Sequence, residues 1–293
     1  MEEGTFINDR GQRLYYRSYK AEAAGHKALV TLVFHHGYGC YCGFYDKDYR
    51  TLQKRGFSVF AFDAHSFGKS EPLEPAYMRS YVLSPHHLVD DVYSYVREVV
   101  QRYQDSHPGL PMVMGGVSMG GMVATLTVMR EQEMWQGLML LSPAIDVPRT
   151  LLLRVMEMLQ GLVLPYFPHW RIVPSPPIHV VTEDPKLRQE LLADKNIDMR
   201  PVRVRTGRMF LDGFAAIRAQ EAELDLPIFA AMSPTDQACD FSALKRFLGA
   251  VKSQRKDLKV FPGAFHELLK GPEQQATLDA MTEWLLRQSR QKR

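Results

Sequence analysis

The chain has 293 residues, 45% of them apolar, enough to bury a large core as one α/β domain or a domain with an inserted piece. A net charge of +3 is too small to indicate nucleic-acid binding, and three cysteines are too few for a disulfide framework. No run approaches the ~18 apolar residues of a membrane span. We therefore expect a cytoplasmic protein, and the sequence leaves peripheral membrane contact open.

The first half of the chain alternates strand-like and helix-like patterns. Continuous apolar runs are typical of central strands, and apolar residues at helical spacing follow Ser84-Pro85. In chain order we predict a hairpin around 8–11, strands at 28–35 and 57–62, a helix from Ser84, a strand at 112–114, a helix at 119–129 and a strand at 137–142. This alternation predicts a mostly parallel, doubly wound sheet with helices on both faces.

The alternation is interrupted after Pro143. Residues 145–224 hold apolar helix-like stretches and proline-rich loops rather than strands. It then resumes with a strand near 226–232, a helix at 241–251, a strand at 258–261 and a helix at 274–287. We therefore predict an α/β fold in three parts: a first core part at 1–144, an inserted, mainly helical cap at 145–224 and a second core part at 225–293.

The pentapeptide Gly116-Val-Ser118-Met-Gly120 stands between a predicted strand and a predicted helix. This is the setting that a nucleophile elbow requires. Such a turn strains the serine backbone, holds the hydroxyl above the sheet and leaves no room for a Cβ two residues to either side. It also puts Ser118 at a helix N-terminus, where developing negative charge is stabilised. Ser118 is the predicted nucleophile.

A serine hydroxyl needs a general base and a group that orients this base. In a doubly wound sheet both should follow later strands. Asp236 closes the strand near 226–232, and His266 follows the last strand, so the order is Ser, Asp, His, as in α/β-hydrolases. Asp240 competes with Asp236 as the orienting acid.

The tetrahedral intermediate of ester hydrolysis needs two N–H donors at its oxyanion. One donor should be the backbone N–H of Met119, directly after the nucleophile. The other should come from the loop after the strand at 28–35, where Tyr38 stands between Gly37 and Gly39. We therefore predict Tyr38 and Met119 as the oxyanion donors.

Six segments together carry a family resemblance. They are His36-Gly37-Tyr38-Gly39, 63–70, 116–121, 141–143, Pro234-Thr-Asp236 and Gly263-Ala-Phe-His266. This set resembles the monoacylglycerol lipase and lysophospholipase family of serine α/β-hydrolases, and the cap stretch 193–209 is more similar to its plant lysophospholipase-like branch. The resemblance implies hydrolysis of a single acyl ester under a mobile cap, without metal or organic cofactor. It also implies Ser118, Asp236 and His266 as the triad and Tyr38 and Met119 as the oxyanion residues.

Three positions depart from the family pattern. Animal monoacylglycerol lipases carry a carboxylate and an arginine shortly after the oxyanion glycines and a histidine before the serine, which help to hold the glycerol hydroxyls. Here these positions are Cys40, Phe44 and Val117. An apolar lining cannot compensate the desolvation of a free diol. The resemblance therefore does not carry glycerol selectivity with it.

The cap contains a stretch, 150–164, with an apolar face wider than one core contact requires. Its polar stripe is narrow: Arg154, Glu157 and Gln160. This pattern fits a helix that lines an acyl tunnel or rests on a membrane, and simple burial against the sheet fits it equally. A basic cluster follows in the cap, and it is interpreted as a solvated face or as a contact with anionic lipid headgroups: Arg200, Arg203, Arg205 and Arg208.

Together these patterns predict a serine esterase that cleaves monoacylglycerols or similar single-chain lipid esters through an acyl-enzyme. Lysophospholipase and general carboxylesterase activity share this chemistry. A non-catalytic lipid-binding protein on the same fold is the alternative from another class. Cys239, three residues after Asp236, is interpreted as a bystander thiol near the site. The sequence does not predict the oligomeric state.

Overall fold

The computed structural model describes residues 1–72, 78–148, 151–182 and 184–290, without the side chains at 151–153, 156 and 160. Its strands are β1 (Glu2–Ile7), β2 (Arg13–Tyr19), β3 (Val30–His35), β4 (Phe57–Phe62), β5 (Met112–Val117), β6 (Gly137–Leu141), β7 (Arg171–Val173), β8 (Val202–Arg203), β9 (Ile228–Met232) and β10 (Lys256–Val260). Eight of them form one sheet in the order β1-β2-β4-β3-β5-β6-β9-β10. Strand β2 pairs antiparallel with β1 and β4, and the other pairs are parallel. The predicted mostly parallel sheet is confirmed.

Helices cover both faces of this sheet. In chain order the α-helices of the described residues, including those between β6 and β9, are α1 (Asp46–Lys54), α2 (Pro85–Tyr95), α3 (Gln101–Asp105), α4 (Met119–Arg130), α5 (Leu151–Val163), α6 (Ile178–Val181), α7 (Pro185–Ala193), α8 (Val204–Gln220), α9 (Phe241–Ala250) and α10 (Gln274–Arg290). In β3, Phe34 contacts Tyr49 of α1 and belongs to the same buried cluster as Trp284 of α10. Its neighbour Val33 belongs to the opposite cluster, with Leu88 of α2. Successive strand residues thus supply two separate cores. Within the described ranges, no helix is long and apolar enough to cross a membrane.

The described residues between β6 and β9 add no strand to the main sheet, and they form α5 to α8. They also form a small antiparallel sheet, β7 with β8, which the sequence did not predict. The two strands have three and two residues, too short to display the alternation that identifies a strand. Helix α8 packs on α4, and a Cβ at Gly213 would lie 2.4 Å from Met122 Sδ. The cap boundaries at 145 and 224 stay a prediction.

Candidate active site

Ser118 occupies a sharp turn between β5 and α4. Its backbone has φ 54° and ψ −119°, a region that residues other than glycine rarely adopt. Its N–H donates to the Leu141 carbonyl, and its own carbonyl accepts from the N–H of Ala144. These bonds to the neighbouring strand and its following loop hold the strained conformation. The predicted strand, turn and helix are confirmed.

Two glycines of the pentapeptide make this turn possible. A Cβ at Gly116 would lie 2.2 Å from the Gly120 carbonyl oxygen, and a Cβ at Gly120 would lie 2.1 Å from the carbonyl oxygen of His35. Both distances are far below van der Waals contact, so a side chain at either position would push β5, the helix and the end of β3 apart. The absence of side chains is what lets the turn close.

His266 and Asp236 form a buried hydrogen-bonded pair. His266 Nδ1 lies 2.8 Å from Asp236 Oδ2, and the two residues are 7% and 8% exposed. Burial alone would lower the pKa of His266, but attraction to Asp236 and the hydrogen bond outweigh it and raise the pKa. Burial would likewise raise the pKa of Asp236, but His266 lowers it below its usual value. The pair therefore favours a charged histidine beside a carboxylate.

Asp240, the competing acid, has a different task. Its carboxylate accepts hydrogen bonds from the N–H groups of Ser242 and Ala243 and so caps the N-terminus of α9. Asp236, by contrast, accepts the N–H groups of Ala238 and Cys239 on Oδ1 and leaves Oδ2 to His266. Of the two acids, the structure brings Asp236 to the histidine.

Ser118 and His266 line the same cavity without a mutual hydrogen bond among the described residues. Catalytic hydrogen bonds are often long before substrate binds. Cys239 lines the same cavity as Ser118. Burial raises the pKa of the Cys239 thiol well above its ordinary value, so the thiol stays neutral. The expected proximity of Cys239 is confirmed, and its protonation disfavours a nucleophilic role.

Of the two predicted oxyanion residues, Met119 follows Ser118 directly and Tyr38 belongs to a loop beside it. A Cβ on Gly37 would lie 3.4 Å from Ser118 Cβ, so the loop that carries Tyr38 passes directly beside the serine. Met119 is the first residue of α4, and the N–H groups of a first helical turn lack intrahelical partners. The roles of Tyr38 and Met119 as donors stay a prediction.

The cavity has a volume of about 480 Å³ and extends from Ser118 under the cap. Much of its lining comes from apolar cap residues, among them Val181, Val202, Phe210, Leu211 and Phe214. Cys40 and Phe44 also line the cavity, whereas Val117 is buried in β5. Such a lining suits an acyl chain and offers few groups for a polar ligand.

Glu267 is a buried acid in this wall that the sequence analysis did not single out. The Tyr45 hydroxyl donates to its Oε2 at 2.9 Å, and among the described residues its Oε1 has no partner. Burial raises the pKa of Glu267 above its ordinary value, although His266 and Lys270 act against this. Its position directly after the predicted histidine was the only available signal, and sequence alone does not distinguish a buried acid from an exposed one.

The cap contacts both catalytic loops through its backbone, which the sequence also did not reveal. The N–H of Asp198 donates to the Gly39 carbonyl at 2.8 Å, next to Tyr38. On the other side, the His266 N–H donates to the carbonyl of Val180 at 3.4 Å. The cap therefore touches the loop of the predicted oxyanion donor and the loop of the predicted base.

The basic cap cluster does not form one solvated face. Arg203 is only 8% exposed, which contradicts that interpretation. Each arginine is held by an acceptor: Arg200 by Asp198, Arg203 by the His169 carbonyl, Arg205 by the Leu83 carbonyl and Arg208 by Asp212. These guanidinium groups therefore bind acceptors within the cap and, for Arg205, in the core. Within the described ranges, no group of three or more His, Cys, Asp or Glu is arranged to hold a metal ion.

Comparison with known proteins gives consistent likenesses. Residues 26–273 match the family described as serine aminopeptidase, S33. The chain is 28% identical to human monoglyceride lipase over 271 residues, 90% of this chain and 83% of the relative. It is 25% identical to the monoacylglycerol lipase of Mycolicibacterium smegmatis over 287 residues, 97% of this chain and 96% of the relative.

A solved structure of a soluble variant of monoglyceride lipase from Saccharomyces cerevisiae, in complex with a substrate analogue, superimposes with a TM-score of 0.84. The sequence identity is 20%, and the match covers 97% of this chain and 94% of that chain. At this identity the likeness speaks for the fold, and together with the family match it confirms the expected α/β-hydrolase fold.

Proposed function

The chain belongs to the serine aminopeptidase S33 family and is a serine ester hydrolase of the lipase and esterase type, and from this premise we propose that it cleaves the single acyl ester of monoacylglycerols. The products are a fatty acid and glycerol. The observation that carries the proposal is the buried His266–Asp236 pair opening onto the same apolar cavity as Ser118. The names of the relatives, monoglyceride lipase and monoacylglycerol lipase, support the substrate class.

In the proposed mechanism, Ser118 attacks the ester carbonyl while His266 takes the hydroxyl proton and then passes it to the leaving alcohol. Asp236 orients the imidazole and stabilises its charged form. The N–H groups of Tyr38 and Met119 hold the oxyanion of the tetrahedral intermediate, a contribution worth on the order of 10²–10³ in kcat for each donor. Water activated by His266 then hydrolyses the acyl-enzyme.

The test is a comparison of the wild-type protein with Ser118→Ala. Wild type should hydrolyse monoolein and react covalently with a fluorophosphonate probe, whereas Ser118→Ala should do neither at a measurable rate. Circular dichroism should be identical for the two, because the substitution removes one hydroxyl. Retained hydrolysis by the variant would remove the mechanism, and a wild type that neither turns over nor reacts with the probe would remove the proposed function.

Lysophospholipids are the second candidate substrates, and the lack of hydrogen-bonding groups at Cys40 and Phe44 favours them. Cys40 and Phe44 offer little hydrogen bonding to the two hydroxyls of glycerol. Against this candidate, the Arg200–Arg208 cluster is already engaged by acceptors of the chain and presents less charge to a phosphate. Rates on monoolein and lysophosphatidylcholine, measured side by side, decide between them.

We also propose that the cap, at 145–224, receives the lipid at a membrane surface. Most of the large apolar side chains that are exposed in the described residues belong to this segment. Met158 and Leu162 of α5, Tyr166 and Leu192 are each more than 70% exposed. An exposed apolar surface of this kind beside an apolar cavity fits a contact with lipid.

A further inference from the structure

The backbone of the cap contacts the backbone of the oxyanion loop, residues 37–41, at Gly39. Besides the hydrogen bond from the Asp198 N–H to the Gly39 carbonyl, the Tyr41 hydroxyl donates to Asp194 Oδ2 at 2.6 Å. A Cβ at Gly39, where φ is 74°, would lie 2.4 Å from the Asp198 carbonyl oxygen. Only glycine permits this approach. The loop that carries Tyr38 is therefore held from the cap side by two contacts within three residues.

The Asp198 side chain is itself firmly held. Its Oδ2 accepts from Ser80 Oγ at 2.8 Å and from Arg171 of β7 at 2.7 Å, and Arg200 donates to both carboxylate oxygens. Burial would raise the pKa of Asp198, but the hydrogen bonds from Arg200 and Ser80 and the attraction to Arg171 lower it to about 2. The carboxylate thus stays charged at neutral pH and joins a cap strand to the loop at residue 80.

Ser80 also contacts Tyr38 in the same loop. Its carbonyl accepts the Tyr38 hydroxyl at 3.4 Å, and the Tyr38 ring packs between Phe67 and Phe210 of the cap helix α8. Tyr38 and Asp198 are therefore anchored to the same residue. A shift of Asp198 removes the acceptor of the Ser80 hydroxyl and the donor to Gly39 together.

We propose that Asp198 is a positioning residue, through which the seated cap sets the direction of the Tyr38 N–H toward the oxyanion. This inference rests on the proposed function, because it assigns a task to the predicted oxyanion donor. Backbone donors cannot be adjusted by their own side chains, so their alignment depends on what holds the loop. A displacement of about 1 Å in a catalytic group costs on the order of 10²-fold in rate. Contact between the cap and the loop thereby aligns the N–H group that stabilises the transition state.

The test compares Asp198→Ala with wild type on a soluble short-chain ester. We expect kcat to fall by about tenfold to a hundredfold with little change in KM. Affinity for a trifluoromethyl ketone, which forms a tetrahedral adduct, should fall by the same factor, while affinity for a non-cleavable ether analogue should stay constant. Ser80→Ala should act in the same direction but less, and Asp198→Asn, which keeps an acceptor oxygen, should recover part of the loss.

Arg218→Gln is the matched control, because Arg218, near the C-terminal end of α8, pairs with Asp146 at the start of the cap. It should retain wild-type kcat. Unchanged kcat in Asp198→Ala, or a loss carried by KM alone with unchanged ketone affinity, overturns the inference while leaving the proposed function intact. If Asp198→Ala does not fold, Ser80→Ala decides by the same criteria. A wild type that neither turns over nor binds the ketone overturns both.

Discussion

His266 Nδ1 lies 2.8 Å from Asp236 Oδ2, and the bond joins residues that are 30 positions apart in the chain. Both side chains are buried, so water screens the attraction between them only weakly. Each residue shifts the titration of the other: the pKa of His266 is raised and that of Asp236 is lowered. The pair therefore determines both the orientation and the charge of the proposed base.

Asp236→Asn should lower kcat by on the order of 10⁴, the loss seen when a triad aspartate becomes an amide that holds the wrong histidine tautomer. Asp240→Asn is the matched control, because asparagine caps a helix about as well as aspartate and α9 keeps its cap. Steady-state rates on a soluble ester provide the measurement. The reverse pattern, with Asp240→Asn inactive and Asp236→Asn active, would exchange the two assignments.

The pH dependence of kcat/KM should have an acid limb above the ordinary histidine pKa of about 6.5. The base must be neutral to accept a proton, and the pKa of His266 is raised, so activity falls as pH decreases through that raised value. In the residual activity of Asp236→Asn the limb should move to lower pH, because the attraction of the carboxylate is lost. An acid limb at the same pH in both proteins would show that Asp236 does not control the titration of His266.

Residues with local signatures were predictable from the sequence. The turn at Ser118 follows from a strand, two glycines and a helix within a few residues, and the structure has φ 54° there. The central strands follow from continuous apolar runs, and β4 spans 57–62 as predicted. The sequence favoured Asp236 over Asp240, and the coordinates add the hydrogen bonds by which Asp240 caps α9.

Contacts between distant segments had no such signature. Asp198 reaches Gly39 through a backbone N–H, and any residue except proline carries that group. Arg203 looked like part of a basic surface because burial depends on tertiary packing and not on charge. The strands β7 and β8 are too short to show a period of two. The interior of the cap was therefore the least predictable part of the chain.

Substitution of two exposed apolar cap residues should weaken membrane binding without changing the rate of ester hydrolysis. Met158→Asp with Leu162→Asp removes two side chains that are 84% and 71% exposed. Each would contribute about 1.5–3 kcal/mol on leaving water, so binding to phosphatidylcholine vesicles in a sedimentation assay should weaken at least tenfold. Hydrolysis of a soluble short-chain ester should be unchanged. Ile7→Asp, on the core strand β1, is the control, and equal vesicle binding by all three proteins would contradict a cap contact.

A second buried His–Asp pair should govern stability instead of activity. Asp91 is fully buried and contacts His65, Arg10 and Asn8. Burial would raise the pKa of Asp91, but His65 and Arg10 lower it. Asp91→Asn leaves these partners without their carboxylate, so we expect a loss of about 3–5 kcal/mol in urea unfolding. The lowered pKa of Asp91 stabilises the folded state fully above the unfolded-state pKa and progressively less as pH falls through the folded-state pKa. The loss caused by Asp91→Asn should therefore shrink below about pH 4. Asp90→Asn, at an exposed ion pair with Arg130, should cost no more than about 1 kcal/mol; equal losses would contradict a buried ionic contribution.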